Sequence, residues 1–275
     1  MFTKAFLSLI LLTFSALIHA EPAQIHESSF NQTENQQTEE NGSAVKPTGI
    51  PPIEQSAPLI SAYIADYEAT WDAGWFPITI DAKRELEKTD NGWQVSFEAY
   101  SRVADVSEVS NFTLEGYVVK PQNYRFKTTG FLSKTKRNME ARWNENKVFL
   151  PYRKKYAEFE MPENLQDSIS YQEQIRLELM QGKTEFAYPI SYKDRIKNLE
   201  FKVKKEETLK SKGGPIETIL VEQSNNRHRK EFTRIWFAKD HEYLLVKLYM
   251  SDKHGDTTLI ELEDATLGDK KIKGF

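Results

Sequence analysis

The chain has 275 residues, 37 basic and 41 acidic side chains, a formal net charge of −4 and no cysteine. The absence of cysteine excludes a disulfide-stabilised scaffold, a thiol enzyme and a cysteine-ligated zinc or iron–sulfur centre. The slightly acidic balance argues against nucleic acid as a partner, because neutralising phosphates requires a surplus of basic side chains.

The first twenty residues have the pattern of a secretory signal peptide. Lys4 is followed by a mostly apolar run over 5–18, and the small residue Ala20 precedes Glu21. This order of a charged start, an apolar core and a small residue is typical of a cleaved signal. The run is shorter than the roughly 20 apolar residues that a membrane-spanning helix needs. We therefore expect export to the bacterial periplasm, with no transmembrane anchor after cleavage and, since cysteine is absent, no lipid anchor.

Residues 21–58 form a predicted spacer. They are rich in Glu, Gln, Asn, Ser, Thr and Pro, with six glutamates against one lysine and Phe30 as the only aromatic residue. Such a segment buries too little apolar surface to offset its ordering entropy, so we expect it to be disordered. Two interpretations stay open, a flexible solubilising spacer and a tether to the cell wall or to a partner.

From Leu59 onward, apolar and polar residues alternate with a period of two, which predicts short β-strands. Asp90-Asn91-Gly92 marks a tight hairpin turn, because Asn-Gly accepts the positive φ angles that such a turn requires. Thirteen strands are predicted, namely 63–71, 76–82, 93–99, 106–119, 122–131, 134–143, 147–152, 185–190, 199–207, 216–224, 230–237, 243–250 and 257–266.

One segment has helical spacing instead. Its mostly apolar stripe consists of Leu165, Ile169, Gln172, Ile175 and Leu179. Asp167 or Ser168 can accept the first free amide hydrogens, and Gly182 stands where a C-terminal cap is expected, which predicts a helix over 167–181.

Many short strands and one helix predict a mainly β fold. We expect a single strongly curved antiparallel sheet, in the form of a half-open barrel, wrapped around one amphipathic helix. Residues 59–275 would make up this one domain, since no stretch like a linker divides them.

The sequence gives little support for catalysis. His228, His241 and His254 fall in three predicted turns, and they lack the close spacing typical of a metal site. Signatures of a nucleophile or of a phosphate-binding loop are absent. We expect no metal and no cofactor, and an enzyme is unsupported, although a pair of carboxylates for glycoside hydrolysis stays open.

Aromatic residues at inward strand positions have two interpretations. They can fill a large core, or they can line a concave face that is left partly open and binds an apolar ligand. In the second case the site would contain residues of the helix and tryptophans of the sheet, namely Trp71, Trp93, Tyr171, Ile175, Leu179 and Trp236.

Four basic clusters also have two interpretations. They lie at 134–137, 153–155, 202–205 and 227–230. They can be solvated strand faces and loops balanced by an equal number of acids, or a rim that meets anionic head groups of a lipid or polysaccharide.

Several short motifs resemble one bacterial envelope family. They are 67–71 (YEATW) with Gly74, 114–121 (LEGYVVKP), 167–171 (DSISY), 214–218 (GPIET) and 236–240 (WFAKD). In their order and spacing the chain is similar to the family catalogued as domain of unknown function 3108. The resemblance implies an architecture like that of the periplasmic lipoprotein carriers, and it implies no catalytic residues.

Three functions follow as hypotheses. The first is a non-enzymatic periplasmic module that binds a lipid-like or apolar ligand between sheet and helix. The second is an envelope scaffold with a filled core, which binds a protein or polysaccharide partner. The third, ranked last, is a hydrolase of envelope polymers, which a cluster of carboxylates with perturbed pKa values would support.

Overall fold

The computed structural model describes residues 59–72, 74, 77–101, 104–130, 135–226 and 228–275. The predicted signal peptide and the predicted spacer lie outside these residues. So do Phe76, at the start of the second predicted strand, and Lys134 and Arg227, at the start of two basic clusters.

The described residues contain fifteen strands, one α-helix and a single 3-10 turn. The strands are β1 (Tyr63–Asp72), β2 (Ile78–Thr89), β3 (Gly92–Tyr100), β4 (Ala104–Glu115), β5 (Val118–Gly130), β6 (Thr135–Arg142), β7 (Lys147–Tyr152), β8 (Lys155–Glu160), β9 (Glu185–Tyr192), β10 (Arg195–Ser211), β11 (Gly214–Gln223), β12 (Phe232–Ala238), β13 (Leu244–Ser251), β14 (Thr257–Leu267) and β15 (Lys270–Lys273). The helix α1 (Ser170–Met180) follows β8, and the 3-10 turn (Trp143–Glu145) precedes β7.

All these strands belong to one sheet, in the order β8-β7-β6-β5-β4-β3-β2-β1-β14-β13-β12-β11-β10-β9, with β15 added beside β14. Every neighbouring pair is antiparallel. The sheet is therefore two meanders joined where β1 pairs with β14, and the segment containing α1 connects edge strand β8 to edge strand β9. The two edge strands do not pair with each other, so the sheet is not closed into a barrel. The predicted fold class is confirmed.

The alternation that predicted the strands corresponds to burial. In β1 every second residue from Tyr63 to Trp71 is buried, because successive side chains of a strand point to opposite faces. The predicted turn at Asn91-Gly92 joins β2 to β3, and Gly92 has a φ of 138°. A Cβ atom at this position would lie 2.4 Å from the carbonyl oxygen of Phe112, so the neighbouring strand can pack only against glycine here.

The helix has the caps that the sequence predicts and is slightly shorter than 167–181. Asp167 Oδ1 accepts hydrogen bonds from the amides of Ile169, at 3.0 Å, and Ser170, at 2.9 Å, so Asp167 precedes the helix instead of starting it. At the other end, the amide of Gly182 donates to the carbonyl of Leu179 at 2.9 Å. Nine of the eleven helical residues are buried, including polar ones, so both faces of this helix are covered.

Several strand predictions differ from the structure, and β2, predicted as 76–82, extends to Thr89. The predicted strand 106–119 is divided, because Gly116, with a φ of 58°, reverses the chain between β4 and β5. β8 and β15 were not predicted, because β8 has no fully buried residue and β15 has only four residues, so their alternation is weak. β10 is also longer than predicted, because its second half is a mostly exposed ribbon paired with β11.

Candidate functional site

A cavity of about 50 Å³ lies between the helical segment and the concave face of the sheet. Ile169, Tyr171 and Gln172 line it from the helical segment. The opposite wall is mostly apolar and includes Tyr67, Phe97, Leu248, Met250 and Ile260, with the charged side chains of Arg84 and Glu108 beside them. The cavity is therefore an apolar space with a small number of charged groups in its wall.

The two charged residues belong to a row that crosses five neighbouring strands. Arg84 pairs with Phe97, Phe97 with Glu108, Glu108 with Phe126, and Phe126 with Arg137. All five side chains are buried. Directly opposed residues share a face, and strands lie about 4.8 Å apart, so the row extends about 19 Å across the concave face. Positive, negative and positive groups thus alternate with two aromatic rings.

The Arg84 end of the row is hydrogen-bonded to the helix. Its guanidinium donates to Tyr63 Oη at 2.7 Å, to Gln172 Oε1 at 2.7 Å and to Glu173 Oε1 at 2.9 Å. Tyr63 Oη donates to the same oxygen of Glu173 at 2.8 Å. Arg176 pairs with the second oxygen of Glu173 at 2.5 Å and donates to the carbonyl of Glu242 at 3.2 Å. This network fixes the position of α1 against β1, β2 and the turn after β12.

The charges in this network determine its titration. Burial alone would raise the pKa of Glu173, but the guanidinium groups of Arg176 and Arg84 outweigh it and lower that pKa. Burial raises the pKa of the Tyr63 hydroxyl, so the phenol stays protonated and can act as a donor. The network therefore holds the ionised carboxylate of Glu173 between two buried cations, Arg84 and Arg176.

Two other carboxyl groups occupy the middle of the concave face. Glu108 accepts a hydrogen bond from Tyr124 Oη at 2.5 Å, and its pKa is raised by burial, against the opposing charge of Arg137. Burial also raises the pKa of Asp167, to about 6. Besides its two backbone amides, Asp167 accepts a hydrogen bond from Ser110 Oγ at 2.5 Å. One oxygen thus caps α1 and the other connects the start of the helix to β4, which is a structural role.

The six residues predicted to bind a ligand are all buried, but the structure does not place all of them at the cavity. Tyr171 lines it. Ile175 and Leu179 lie further along α1, and Trp71 and Trp93 lie further along β1 and β3, each four residues from the lining residues Tyr67 and Phe97. None of these four is among the lining residues.

Trp236 lies on the other face of the sheet. Its neighbour Ile235 pairs with the lining residue Leu248, whereas Trp236 pairs with Lys247. Adjacent strand residues point to opposite faces, so Trp236 points away from the cavity. Its indole Nε1 donates to Glu207 Oε1 at 2.8 Å.

The charged row was not predicted, although the sequence contains a signal for it. Arg84 lies between Ala82 and Leu86, in phase with the buried residues of β2, and Arg137 is likewise in phase with Met139 and Ala141 of β6. A charged residue at an inward position of an alternating strand is the pattern that identifies this row. Arg137 was instead grouped with a basic cluster interpreted as solvated or rim-forming, which is wrong for this residue because it is buried.

The three histidines lie in turns, as predicted, with His228 and His254 exposed and His241 half-buried. Within the described ranges, no group of three or more His, Asp or Glu side chains is arranged to hold a metal ion. In the same ranges, no helix combines the length and the apolar character needed to cross a membrane.

Comparison with known proteins identifies the family. The family model described as "Protein of unknown function (DUF3108)" matches residues 66–261. The chain belongs to this family. The resemblance noted in the sequence is thereby confirmed. No curated protein matches the chain.

A solved structure shares the fold, and two further ones are more distant matches. A β-barrel-like protein of the DUF1849 family from Brucella abortus has a TM-score of 0.55 and 13% identity, and the match covers 76% of this chain and 99% of that one. A DUF1329 family protein from Desulfovibrio piger, with 10% identity and a TM-score of 0.27, is matched over 76% of this chain and 86% of its own. A putative outer membrane lipoprotein-sorting protein domain from Vibrio parahaemolyticus has 11% identity, a TM-score of 0.23 and the same coverage. The last two likenesses carry no argument about function.

Proposed function

We propose that this DUF3108 protein is a non-enzymatic periplasmic module that binds an apolar, lipid-like ligand between α1 and the concave face of the sheet. The observation that carries the proposal is the cavity, whose wall is mostly apolar and has Arg84 and Glu108 beside it. Ligand sites in proteins combine apolar walls with a few placed polar groups in this way. The export signal predicted over the first twenty residues supports the compartment.

The size of the cavity defines how a ligand would enter. About 50 Å³ is well below the roughly 300–1,000 Å³ of sites for small molecules. A ligand of several methylene groups must therefore displace part of the wall. Each strand is fixed by ladders of hydrogen bonds, whereas α1 is connected to the sheet by side chains such as Gln174, which accepts from the amide of Val119 at 2.6 Å. We infer that α1 and its flanking segments move outward to admit the ligand.

The same small volume favours a second candidate function, the envelope scaffold with a filled core. In that case the edge of β8, and the part of the β9 edge beyond its bridge between Ile190 and Gln166, would bind a partner, since an exposed strand edge can pair with another chain. The two functions differ in one measurable respect, because only the first requires a ligand within the sheet.

The first test is native mass spectrometry of the chain purified gently from the periplasm, followed by solvent extraction. Ligand binding predicts a bound species of defined mass that is extractable into organic solvent. A mass equal to that of the polypeptide alone, together with no binding of a dansylated fatty acid in a fluorescence titration, would support the scaffold instead.

A variant pair tests the location of the ligand. Leu248→Phe adds volume at the cavity wall, whereas Leu220→Phe adds the same volume at a buried position that does not line the cavity. We expect Leu248→Phe to weaken binding of the dansylated fatty acid by about tenfold, since overpacking costs about 1–3 kcal/mol, and Leu220→Phe to leave it unchanged. Equal effects of the two substitutions would contradict this location.

A further inference from the structure

The guanidinium groups at the two ends of the charged row, Arg84 and Arg137, differ in their hydrogen bonds. The Arg137 side chain is only 2% exposed, and its guanidinium carbon lies 3.7 Å from the centroid of the Phe126 ring. Among the described residues, its Nε, Nη1 and Nη2 atoms have no hydrogen-bond partner. Buried guanidinium groups are normally hydrogen-bonded, because desolvating an ionised group without compensation is strongly unfavourable. Its five N–H donors are therefore buried without an acceptor among the described residues.

Two other cations lie close to the Arg137 guanidinium. Tyr192, at the end of edge strand β9, has Arg137 at 5.4 Å from its ring centroid, Lys193 at 4.7 Å and Lys197 at 4.9 Å. Arg137 and Lys197 are buried, and Lys193 is half-buried. A ring attracts each cation separately, but three like charges around one ring repel one another in a medium of low dielectric constant. A negative charge bound among them would offset that repulsion.

Two acidic side chains near Arg137, Glu108 and Asp194, bond to other groups. Glu108 is separated from Arg137 by Phe126 in the row, and it accepts from Tyr124. Asp194 forms ion pairs with Lys155 at 3.2 Å and with Arg195 at 3.4 Å. Among the described residues, no carboxylate lies within ion-pair distance of Arg137. The Arg137 guanidinium thus has no direct carboxylate partner in the described part of the chain.

The cluster lies where the two ends of the sheet approach each other. Arg137 is on β6, near one end, while Tyr192 is on β9, the other edge strand. The Lys155–Asp194 ion pair and the approach of Lys193 to the Tyr152 ring, at 6.0 Å, span the same unpaired boundary. On this side of β9 the described residues form only the parallel bridge between Gln166 and Ile190. No ladder of hydrogen bonds closes the boundary there, and a ligand would reach Arg137 through it.

We propose that an oxyanion, a phosphate or carboxylate group, binds to the Arg137 guanidinium between β6 and the end of β9, with Lys193 and Lys197 contributing positive charge. Arginine offers a planar pair of donors that matches two oxygens of such a group. The oxyanion can be a free ion or the head group of an amphiphile. Binding of an amphiphile head group rests on the proposed function, because the alkyl chain of the amphiphile would then occupy the cavity under α1.

The test is isothermal titration calorimetry of the purified chain with inorganic phosphate, octyl phosphate and octanol. Phosphate carries the anion alone, octanol the alkyl chain alone, and octyl phosphate both. The variants are Arg137→Met, which removes the charge, and Arg137→Lys, which keeps it but loses the paired donors. Arg142→Met is the matched control, since Arg142 lies on the same strand but faces the opposite way and pairs with Glu140 and Glu145 at the surface.

We expect both Arg137 variants to bind octyl phosphate at least about tenfold more weakly than the wild-type chain, and Arg142→Met to bind it normally. If the Arg137 variants also lose affinity for inorganic phosphate, the site binds a free anion. If they lose affinity only for octyl phosphate, the site binds the head group of an amphiphile. Binding of phosphate at Arg137 with no binding of octanol would keep the anion site and contradict the proposed function.

Two results would overturn the anion site. One is binding of octanol together with an affinity for octyl phosphate that neither Arg137 variant changes, which would leave the proposed function standing. The other is no detectable binding of any probe. Arg137→Met should also fold, because replacing an unpaired buried charge with an apolar side chain is often stabilising, and circular dichroism checks this. If that variant fails to fold, Arg137→Lys carries the comparison.

Discussion

Replacing Asp167 with asparagine tests whether the carboxyl group that caps α1 is as deeply desolvated as the structure indicates. Burial raises the pKa of this group from 3.8 to about 6 in the folded chain. In the unfolded chain it titrates near its usual value of about 3.9. Between these two values the folded state holds the proton and the unfolded state does not. Asp167 therefore stabilises the fold most at low pH, and this contribution is lost as pH rises through about 6.

The magnitude follows from the shift. About two pKa units, at 1.36 kcal/mol each, correspond to about 3 kcal/mol over the whole titration, of which about 2 kcal/mol falls between pH 4.5 and pH 8. Asparagine does not titrate, and its Oδ1 can still accept from the amides of Ile169 and Ser170. The free energy of unfolding of Asp167→Asn, relative to wild type, should thus rise by about 2 kcal/mol over this pH range.

Urea denaturation of both chains, followed by tryptophan fluorescence at several pH values, measures this difference. Asp194→Asn is the control, because nearby Lys155 helps to lower the pKa of Asp194 and its titration lies below the range measured. Its difference from wild type should stay constant above about pH 4.5. A constant difference for Asp167→Asn as well would refute the argument that burial raises its pKa.

The remaining predictions concern the ion pairs and the hairpin turn. Glu173→Gln leaves Arg84 and Arg176 buried around a neutral amide, so it should lower the free energy of unfolding by about 3–5 kcal/mol. The control Glu261→Gln breaks a half-exposed pair with Lys247 and should cost less than about 1 kcal/mol, and urea denaturation compares the two. Gly92→Ala places a Cβ atom against the Phe112 carbonyl and should lower the melting temperature more than Gly116→Ala, whose Cβ meets nothing within 4 Å. Equal melting temperatures of the two alanine variants would show that the close approach at Gly92 is relieved by local movement.

The sequence predicts much of the fold because most strands are half-buried, so their burial appears as alternation. Most elements could be derived in this way, and residue types identified the Asn91-Gly92 turn and both helix caps. β8 was missed because none of its residues is fully buried, so its alternation is weak. Its pairing depends on backbone hydrogen bonds with β7, and these require no particular side chains.

The candidate site was harder to predict because its position depends on pairing between distant strands. Trp236 was assigned to the concave face, yet the register of β12 with β13 places Ile235 there instead. A shift of one residue moves a side chain to the other face. The composition of one strand therefore cannot assign its tryptophan to a side of the sheet, whereas the observed pairing can.

The charged row gives the concave face two unequal ends. At one end, Arg84 finds Glu173, Gln172 and Tyr63, and the resulting network seats α1 on the sheet. At the other end, Arg137 is equally buried and contacts an aromatic ring, but the described residues offer its guanidinium no acceptor. Because an unpaired buried cation destabilises a fold, the position of Arg137 in the interior needs a physical reason. An anionic ligand provides that reason, because it would pair with Arg137 as Glu173 pairs with Arg84.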